Sequence, residues 1–193
     1  SGSRSSPSGI PNLIKGRCPL WPDVFWAGDF TEFVYRETIV YLATVIDLRT
    51  REIVGWSIGL HHSALLVIEA LKDAATHHAR LPEIFHSDQG SEYASLRAQE
   101  WLRAQGIKPS HSKKASPWEN GFKESWFGRC KEEMESPNSS ETVEKFIEII
   151  HHRIYSYNHK RIHTALRMPP RKFYEELMKR WDALKKTLSK SVY

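Results

Sequence analysis

The sequence predicts a mixed α/β domain in which helices flank a central sheet. Three apolar segments rich in β-branched residues follow one another between residues 24 and 59. Helical periodicity then alternates with two short strand-like segments as far as residue 112, and helical segments dominate the remainder. This order of segments is typical of a mixed α/β architecture. A chain of 193 residues is long enough for one well-buried domain.

The first three strands are predicted from their aromatic and β-branched content. The first is "VFWAGDFTEF", residues 24–33. The second, "TIVYLATVIDL" at 38–48, is a nearly continuous apolar run, which indicates a strand buried on both faces. A short polar turn separates it from the third strand, "IVGWSIG" at 53–59. The second and third strands are therefore predicted to pair as an antiparallel hairpin.

A helix is predicted over residues 63–79, with Ser63 as its N-cap. Its apolar stripe recurs at helical spacing and comprises Ala64, Leu65, Ile68, Leu71 and Ala75. The segment "EIFHSD" at 83–88 predicts a short fourth strand, and the "DQGSEY" that closes it predicts a turn. In that turn we expect Gly90 to serve backbone geometry and Glu92 to face solvent.

The remaining segments are mostly helical. A second helix is predicted at 95–106, closed by Gly106 at the C′ position, and "IKPSHS" at 107–112 is a candidate fifth strand. A third helix follows Ser116, with Pro117 at its first position. The strongest helical pattern covers 139–158, beginning at Ser140, and a last amphipathic helix covers about 170–186.

Composition limits the classes of protein that remain. Apolar residues make up 40% of the chain and charged residues 26%, which is ordinary for a globular protein. The net charge of +5 suits a polyanionic partner without requiring one. No apolar run approaches about 18 residues, so no membrane association is expected. The two cysteines, Cys18 and Cys130, form no disulfide framework, which favours a reducing, cytoplasmic compartment.

Loop-like composition at the start sets the expected domain boundaries. Residues 1–20 carry repeated Ser, Gly and Pro, so we expect a flexible lead or linker there, compatible with a tag remnant at its start. Residues 21–186 are expected to form the folded core, and 187–193 a tail.

Three acidic side chains occur where a solvated carboxylate is not expected. Asp29 lies inside the apolar first strand, Asp88 directly follows the fourth, and Glu124 lies in a helix among aromatic residues. A carboxylate in apolar surroundings costs several kcal/mol unless a cation or hydrogen bonds compensate it. Such hard oxygen ligands suit Mg²⁺ or Mn²⁺, and a pair of these ions supports phosphoryl transfer. Taken singly, each acid has an ordinary alternative as a strand-end acid, a turn residue or a solvated helix residue.

The segments that carry these acids resemble a known family when they are taken together. "GDFTEF", "HSDQGSEY" and "SPWENGFKES", in this order, resemble the DDE catalytic core of the retroviral-integrase superfamily, and most closely the bacterial insertion-sequence transposases. The later segment "YSYNHKRIHTALRMPPRKFYEEL" is similar to the ending of those transposases. The resemblance covers about residues 12–178. It implies a ribonuclease-H-like fold, a five-stranded mixed sheet flanked by helices.

The resemblance also implies a reaction and a set of catalytic residues. Asp29, Asp88 and Glu124 would hold two Mg²⁺ or Mn²⁺ ions and carry out cleavage and strand transfer of DNA. The expected partners are the element ends, a target duplex and a second copy of the chain. Candidate DNA-binding residues are Lys131, Asn120, Lys113, Lys114 and Arg161.

Several of these assignments have alternatives in the sequence. Lys131 and Asn120 also fit a helix surface, and Arg161 also fits a buried ion pair, whereas Tyr157 and Asn158 are expected to be structural. Two further functions remain open: a nuclease of the same fold that only hydrolyses, and a non-catalytic DNA-binding module. Ten histidines invite a zinc site, but there is no cysteine pair and no HExxH motif, so zinc is not expected.

Overall fold

The computed structural model describes residues 9–35, 37–78, 80–112 and 142–190. Five strands form one sheet in the order β3-β2-β1-β4-β5. They span Phe25–Tyr35 (β1), Thr38–Asp47 (β2), Ile53–Gly59 (β3), Ile84–Ser87 (β4) and Lys108–His111 (β5). β1 pairs antiparallel with β2, and β2 with β3, whereas β4 is parallel to both β1 and β5. The predicted five-stranded mixed sheet is confirmed, and so is the β2–β3 hairpin.

Helices follow the strands in the described parts of the chain. They span Ala64–His77 (α1), Ser91–Ala94 (α2), Leu96–Ala104 (α3), Val143–His159 (α4) and Pro170–Lys190 (α5). α5 therefore continues four residues past the predicted end of the last helix. The helix predicted from Ser116 onward lies outside the described residues. No helix in the described ranges has the length and apolar character needed to cross a membrane.

The sheet is covered on both faces, as its second strand predicts. Ala43 and Val45 of β2 join a buried cluster with α1 and α3. Leu42 and Ile46, on the opposite side of the same strand, join a second cluster with α4. Alternate side chains of a strand point to opposite faces, so a strand that is apolar at every position needs a helix layer on each side.

Helix α1 begins where the sequence predicts it but buries a different stripe. Ser63 is the N-cap, and its side chain accepts a hydrogen bond from Leu66 N. Leu65, predicted to be buried, is 41% exposed, and Ala75 is also exposed. The buried stripe is Leu66, Val67, Ile68, Ala70, Leu71 and Ala74.

A close approach between α1 and β3 explains this rotation of the helix. A Cβ atom at Gly55 of β3 would collide with the Ala70 carbonyl oxygen and would lie 2.7 Å from Ala74 Cβ. The helix backbone thus rests directly on a glycine of the strand, and only the face that carries small residues can do so.

The capping residues predicted for two other helices can be compared with the structure. Gly106 has φ +73°, which confirms its predicted left-handed C′ position after α3. The predicted start of α4 at Ser140 lies outside the described residues, and the N-cap that the structure shows is Thr142, whose side chain accepts from Lys145 N.

The structural roles expected for Tyr157 and Asn158 are confirmed. Asn158 Oδ1 accepts from Ile53 N at 3.0 Å, and Asn158 Nδ2 donates to Ile53 O at 2.9 Å. The two bonds satisfy the backbone at the start of β3, which is an edge strand of the sheet. Tyr157 donates from its hydroxyl to Arg51 O at 3.0 Å. These contacts attach α4 to the β2–β3 turn.

Tyr157 is expected to make the free energy of unfolding depend on alkaline pH. Burial raises the pKa of Tyr157 to about 12 from the ordinary value of 10.0. The folded chain therefore holds this proton more tightly, and stability is full below pH 10 and is lost as the pH rises toward 12. Two pKa units correspond to about 2–3 kcal/mol. Urea midpoints measured across this interval should fall, and Tyr157→Phe should make the fall shallower.

The same helix provides the control. Tyr155 is exposed, so Tyr155→Phe should keep the wild-type pH dependence. Some dependence should remain in Tyr157→Phe, because burial also raises the pKa of Tyr93 and Tyr174. An identical slope in Tyr157→Phe and wild type would contradict the assignment.

The two ends of the described chain are attached to the same body. Ile14 is buried with Phe25 and Ile84, and Leu13 N donates to Ser110 Oγ at 2.8 Å. Helix α5 is held by Tyr174, whose hydroxyl donates to Asp23 Oδ2 at 3.2 Å. Arg171 adds an ion pair with Glu52 at 3.2 Å. The expected boundaries at residues 20 and 186 remain predictions.

Candidate active site

Asp29 and Asp88 each lie two residues beyond the last paired residues of β1 and β4. The parallel pairing of β1 and β4 runs Phe25↔Ile84, Trp26↔Phe85 and Ala27↔His86. Continuing this register by two residues places Asp29 opposite Asp88, which directly follows β4. Neighbouring strands are about 4.8 Å apart. The pairing therefore brings together two acids that are 59 positions apart in the chain.

The two acids also share a face of the sheet. Phe25 and Ile84 are in one buried cluster, whereas Trp26 and Phe85 are in another on the opposite face. Because side chains alternate along a strand, Asp29 follows the direction of Phe25, and Asp88 follows that of Ile84. Both carboxylates therefore belong to the same side of the sheet.

Electrostatics at Tyr93 give an independent sign that the acids converge. Tyr93 is fully buried, and burial raises the pKa of its hydroxyl well above the ordinary value. The negative charges of Asp29, Asp88 and Glu92 raise it further, in that order. Three carboxylates from β1, the β4–α2 loop and α2 thus act on one phenol. Such a concentration of negative charge favours a cation.

The loop after β4 holds Asp88 in place. Asp88 Oδ1 accepts from Gly90 N at 3.0 Å. Gly90 has an ordinary φ of −57°, so the expected need for unusual backbone geometry is wrong. Space is the reason for glycine, because a Cβ there would collide with Glu92 Oε1 and would lie 3.0 Å from Asp88 Oδ1.

Glu92 is buried, which corrects the expectation that it faces solvent. It is 8% exposed, and its Oε2 accepts from Ser91 Oγ at 2.9 Å. Its Oε1 lies 3.4 Å from His62 Nε2. Part of the predicted turn forms the short helix α2, and in this helix the Glu92 side chain is buried. A single glutamate in a polar turn gives no sequence signal of burial.

Two histidines lie beneath Asp88. His86 is buried on β4, and its Nδ1 is 2.9 Å from Ser110 Oγ, so it makes a hydrogen bond between neighbouring strands. Burial lowers the pKa of His111, and the nearby His86 lowers it further, while Asp88 opposes the shift. His111 therefore favours its neutral form, consistent with a supporting position under the acid and not with an exposed cation.

The third predicted acid, Glu124, lies outside the described residues, and so do Asn120, Lys131, Lys113 and Lys114. Among the described residues, no group of three or more His, Cys, Asp or Glu side chains is placed to hold a metal ion. Of the three predicted metal ligands, the described residues therefore include Asp29 and Asp88, which belong to the same face of the sheet.

Arg161 lies apart from Asp88, at the opposite end of the sheet. Its charge acts on Tyr157 and His163, and Arg51 acts on both of those groups as well. Arg51 follows β2, whose last residue, Asp47, pairs with Trp26 near the start of β1. Arg161 is therefore part of a basic group near the β2–β3 turn and is not brought beside the acids.

Gly28→Ala is expected to damage the site by steric displacement. A Cβ at Gly28 would collide with Phe85 Cζ and would lie 2.9 Å from Tyr93 Cε1. Both rings are buried, so β1 must move, at a cost of about 1–3 kcal/mol. Because Asp29 is the next residue, DNA cleavage should fall by roughly tenfold to 100-fold. Urea unfolding and a nicking assay measure the two effects.

Gly59→Ala is the matched control, since its Cβ would meet only the flexible end of Leu66, with Cδ1 at 3.1 Å. This variant should keep nearly full stability and activity. Wild-type activity and stability in Gly28→Ala would show that the close approach is not required.

Two family models and several curated relatives match this chain. A model described as the integrase core domain matches residues 21–117, and a second model with the same description matches residues 105–170. The chain is 35% identical over 176 residues to the transposase for insertion sequence element IS904 of Lactococcus lactis, covering 90% of this chain and 68% of that protein. A transposase-like protein of Haemophilus influenzae is 34% identical over 146 residues, covering 76% of this chain and 68% of its own length.

Solved structures support the fold. The simian T-cell lymphotropic virus intasome, solved with a PP2A regulatory subunit, contains a chain that matches with a TM-score of 0.71 at 22% identity, covering 86% of this chain and 58% of that one. The HTLV-2 integrase catalytic core domain, solved in complex with magnesium, matches with a TM-score of 0.61 at 18% identity, covering 80% of this chain and 98% of that one. Together with the family models, these matches show that the chain belongs to the integrase core domain family and is a core of the transposase and integrase type.

Proposed function

We propose that this chain is the catalytic core of a transposase that cuts DNA strands and transfers them to a target duplex. Asp29, Asp88 and Glu124 are the proposed catalytic residues and metal ligands, and Mg²⁺ or Mn²⁺ is the proposed cofactor. One observation supports the proposal: the β1–β4 register runs as far as Ala27↔His86, and its continuation by two residues would bring Asp29 level with Asp88, on the same side of the sheet. Family membership supports the reaction type.

The donor chemistry of the site fits these ions. Carboxylate oxygens are the ligands that Mg²⁺ and Mn²⁺ prefer, and no thiolate is placed near them among the described residues. The negative charges of Asp29, Asp88 and Glu92 act together on Tyr93. Glu92 is directed to His62, so Glu124 is the acid proposed to complete the set.

When bound, a pair of such ions supplies the Lewis acidity that activates water or a DNA 3′-hydroxyl and stabilises the departing 3′-oxygen. The residues of the chain position and shield the site. Gly90 N holds Asp88 Oδ1, which restricts the carboxylate before any ion arrives. Buried Tyr93 and Phe85 form a rigid layer under Gly28, so β1 cannot slide relative to β4.

The DNA contacts are proposed on both sides of this site. Ser112 N donates to Ser87 O at 2.9 Å, so the chain leaves β5 beside the residue that precedes Asp88. Lys113 and Lys114 come next in the sequence and are proposed to bind phosphates near the cut. Asn120 and Lys131 are proposed to contact the DNA end. A contact by Arg161 would involve a separate part of the DNA, since Arg161 lies near the β2–β3 turn.

Partners and location are proposed from the same reasoning. The HTLV-2 core has been solved in dimeric and trimeric forms, and we propose that this core also forms a homo-oligomer, with a dimer as the simplest form. The chain covers about two thirds of the length of its two transposase relatives cited above, so the full reaction on element ends and target is part of the proposal. The proposed location is the bacterial cytoplasm, at the nucleoid.

Calorimetric titration with Mn²⁺, combined with a strand-transfer assay on paired DNA ends, tests the proposal. Binding of Mn²⁺ together with joined products is the expected result. Cleaved but unjoined DNA would indicate a nuclease that only hydrolyses. DNA binding without Mn²⁺ binding or nicking would indicate a non-catalytic module and would refute the proposal.

A further inference from the structure

The His62–Glu92 pair contacts the segments that carry Asp29 and Asp88, from the sheet face on which Phe30 and Tyr93 lie. His62 is in the connection between β3 and α1, and Glu92 is in α2. Their nearest atoms, Nε2 and Oε1, are 3.4 Å apart. Neither side chain belongs to the proposed catalytic set. The pair nevertheless contacts Phe30, which is next to Asp29, and Gly90, whose N–H binds Asp88.

On the β1 side, His62 packs on the residue next to Asp29. The rings of His62 and Phe30 meet edge to face, with centroids 4.1 Å apart. Tyr41 of β2 lies on the same imidazole, with centroids 5.3 Å apart. Phe30 also contacts Tyr93, at 5.5 Å. The His62 ring is thus fixed against the first two strands by aromatic contacts.

On the α2 side, Glu92 packs on the residue that holds Asp88. Gly90 N donates to Asp88 Oδ1, and Glu92 Oε1 occupies the space that a Cβ at Gly90 would need. Ser91 Oγ donates to the other carboxylate oxygen of Glu92. The Glu92 side chain is 7% exposed, so its charge has few solvent contacts to replace a lost partner. Removing the partner of a buried carboxylate is strongly destabilising, and the carboxylate would then turn toward water.

We propose that His62 and Glu92 are positioning residues that set the spacing of Asp29 and Asp88. The pair closes a chain of contacts that runs from Phe30 through His62 and Glu92 to Gly90 and Asp88. If His62 is removed, Glu92 loses this partner, and α2 and the Asp88 loop lose one of their contacts with β1, while the packing of Tyr93 on Phe30 remains. This inference rests on the proposed metal-dependent function. It assigns to Glu92 a structural charge pair in place of a metal-ligand role.

The test uses His62→Ala and Glu92→Gln, with His61→Ala as the matched control, because His61 is adjacent to His62 in the same connection and is exposed as well. Removal of a residue that orients metal ligands typically lowers metal affinity or activity by about 10- to 100-fold. We expect His62→Ala and Glu92→Gln to weaken Mn²⁺ binding in calorimetry by that amount and His61→Ala to leave it unchanged. The double variant should bind Mn²⁺ no more weakly than the single variant with the lower affinity, because both substitutions remove the same interaction.

His62→Gln is the rescue variant, because its amide N–H can still donate to Glu92. It should recover most of the Mn²⁺ affinity lost in His62→Ala. Wild-type affinity in both His62→Ala and Glu92→Gln, or additive losses in the double variant, would overturn the proposal. Glu92→Gln keeps the shape of the side chain, so it tests the positioning role even if His62→Ala does not fold.

Hydrogen exchange of the metal-free protein separates this inference from the proposed function. Residues 88–95 should exchange faster in His62→Ala than in wild type, and His61→Ala should match wild type. If wild type binds no Mn²⁺, the proposed function fails, and exchange in this segment still decides whether the pair holds the loop. Unchanged exchange in both His62→Ala and Glu92→Gln would refute the positioning role.

Discussion

Asp29→Asn and Asp88→Asn are each expected to lower DNA cleavage and strand transfer by at least about 1,000-fold. Stabilisation of transition-state charge by metal ions amounts to several kcal/mol, and each 1.36 kcal/mol corresponds to tenfold in rate. Asparagine keeps the size of aspartate but removes one charge of the donor set. Nicking of a supercoiled plasmid and joining of paired DNA ends, both at saturating Mg²⁺, measure the loss. The same loss is expected for Glu124→Gln.

Folding should survive these substitutions, which separates a catalytic role from a structural one. Asp29, Asp88 and Glu92 all act on Tyr93, so removing one charge reduces repulsion and should leave thermal stability equal or slightly higher. Glu32→Gln, an exposed acid on β1, and Glu83→Gln, an exposed acid just before β4, are the matched controls. Cleavage above about a tenth of wild type in Asp29→Asn or Asp88→Asn would remove that residue from the proposed site.

Asp47→Ala is expected to cause the largest loss of stability among the described acids, about 3–5 kcal/mol. Asp47 is 0% exposed, and its side chain organises the turn between β2 and β3. Oδ1 accepts from Thr50 N at 2.7 Å, Thr50 Oγ1 at 2.9 Å and Arg49 N at 2.9 Å. Oδ2 accepts from Asp23 N at 2.7 Å. Alanine would leave four donors without this acceptor.

Urea unfolding followed by tryptophan fluorescence measures this loss. Burial raises the pKa of Asp47 despite these hydrogen bonds, so the buried carboxylate carries a desolvation cost in the wild-type protein. The predicted loss of stability in Asp47→Ala therefore comes from the four donors that would lose their acceptor. Asp182→Ala, an exposed acid on α5, should change stability by less than about 0.5 kcal/mol. A loss below about 1 kcal/mol in Asp47→Ala would mean that water or a shifted turn replaces the carboxylate.

Much of the secondary structure could be predicted because its causes are local. The continuous apolar run of β2 predicted burial on both faces, and Ala43 and Leu42 indeed lie in different clusters. Ser63 and Gly106 marked helix ends because a side-chain acceptor and a left-handed backbone act within a few residues. Leu65 was wrongly expected in the core because periodicity alone does not show which of two adjacent stripes meets the sheet.

Local patterns in the sequence were sufficient to predict the strand and helix types, with Asp29 inside one strand and Asp88 just after another. How these elements meet depends on their packing in three dimensions. The β1–β4 register sets the two acids level, the packing of α1 on Gly55 selects its buried stripe, and the winding of α2 buries Glu92 against His62. Local propensity acts over a few neighbours in the chain, whereas register and burial depend on contacts between segments that are distant in sequence.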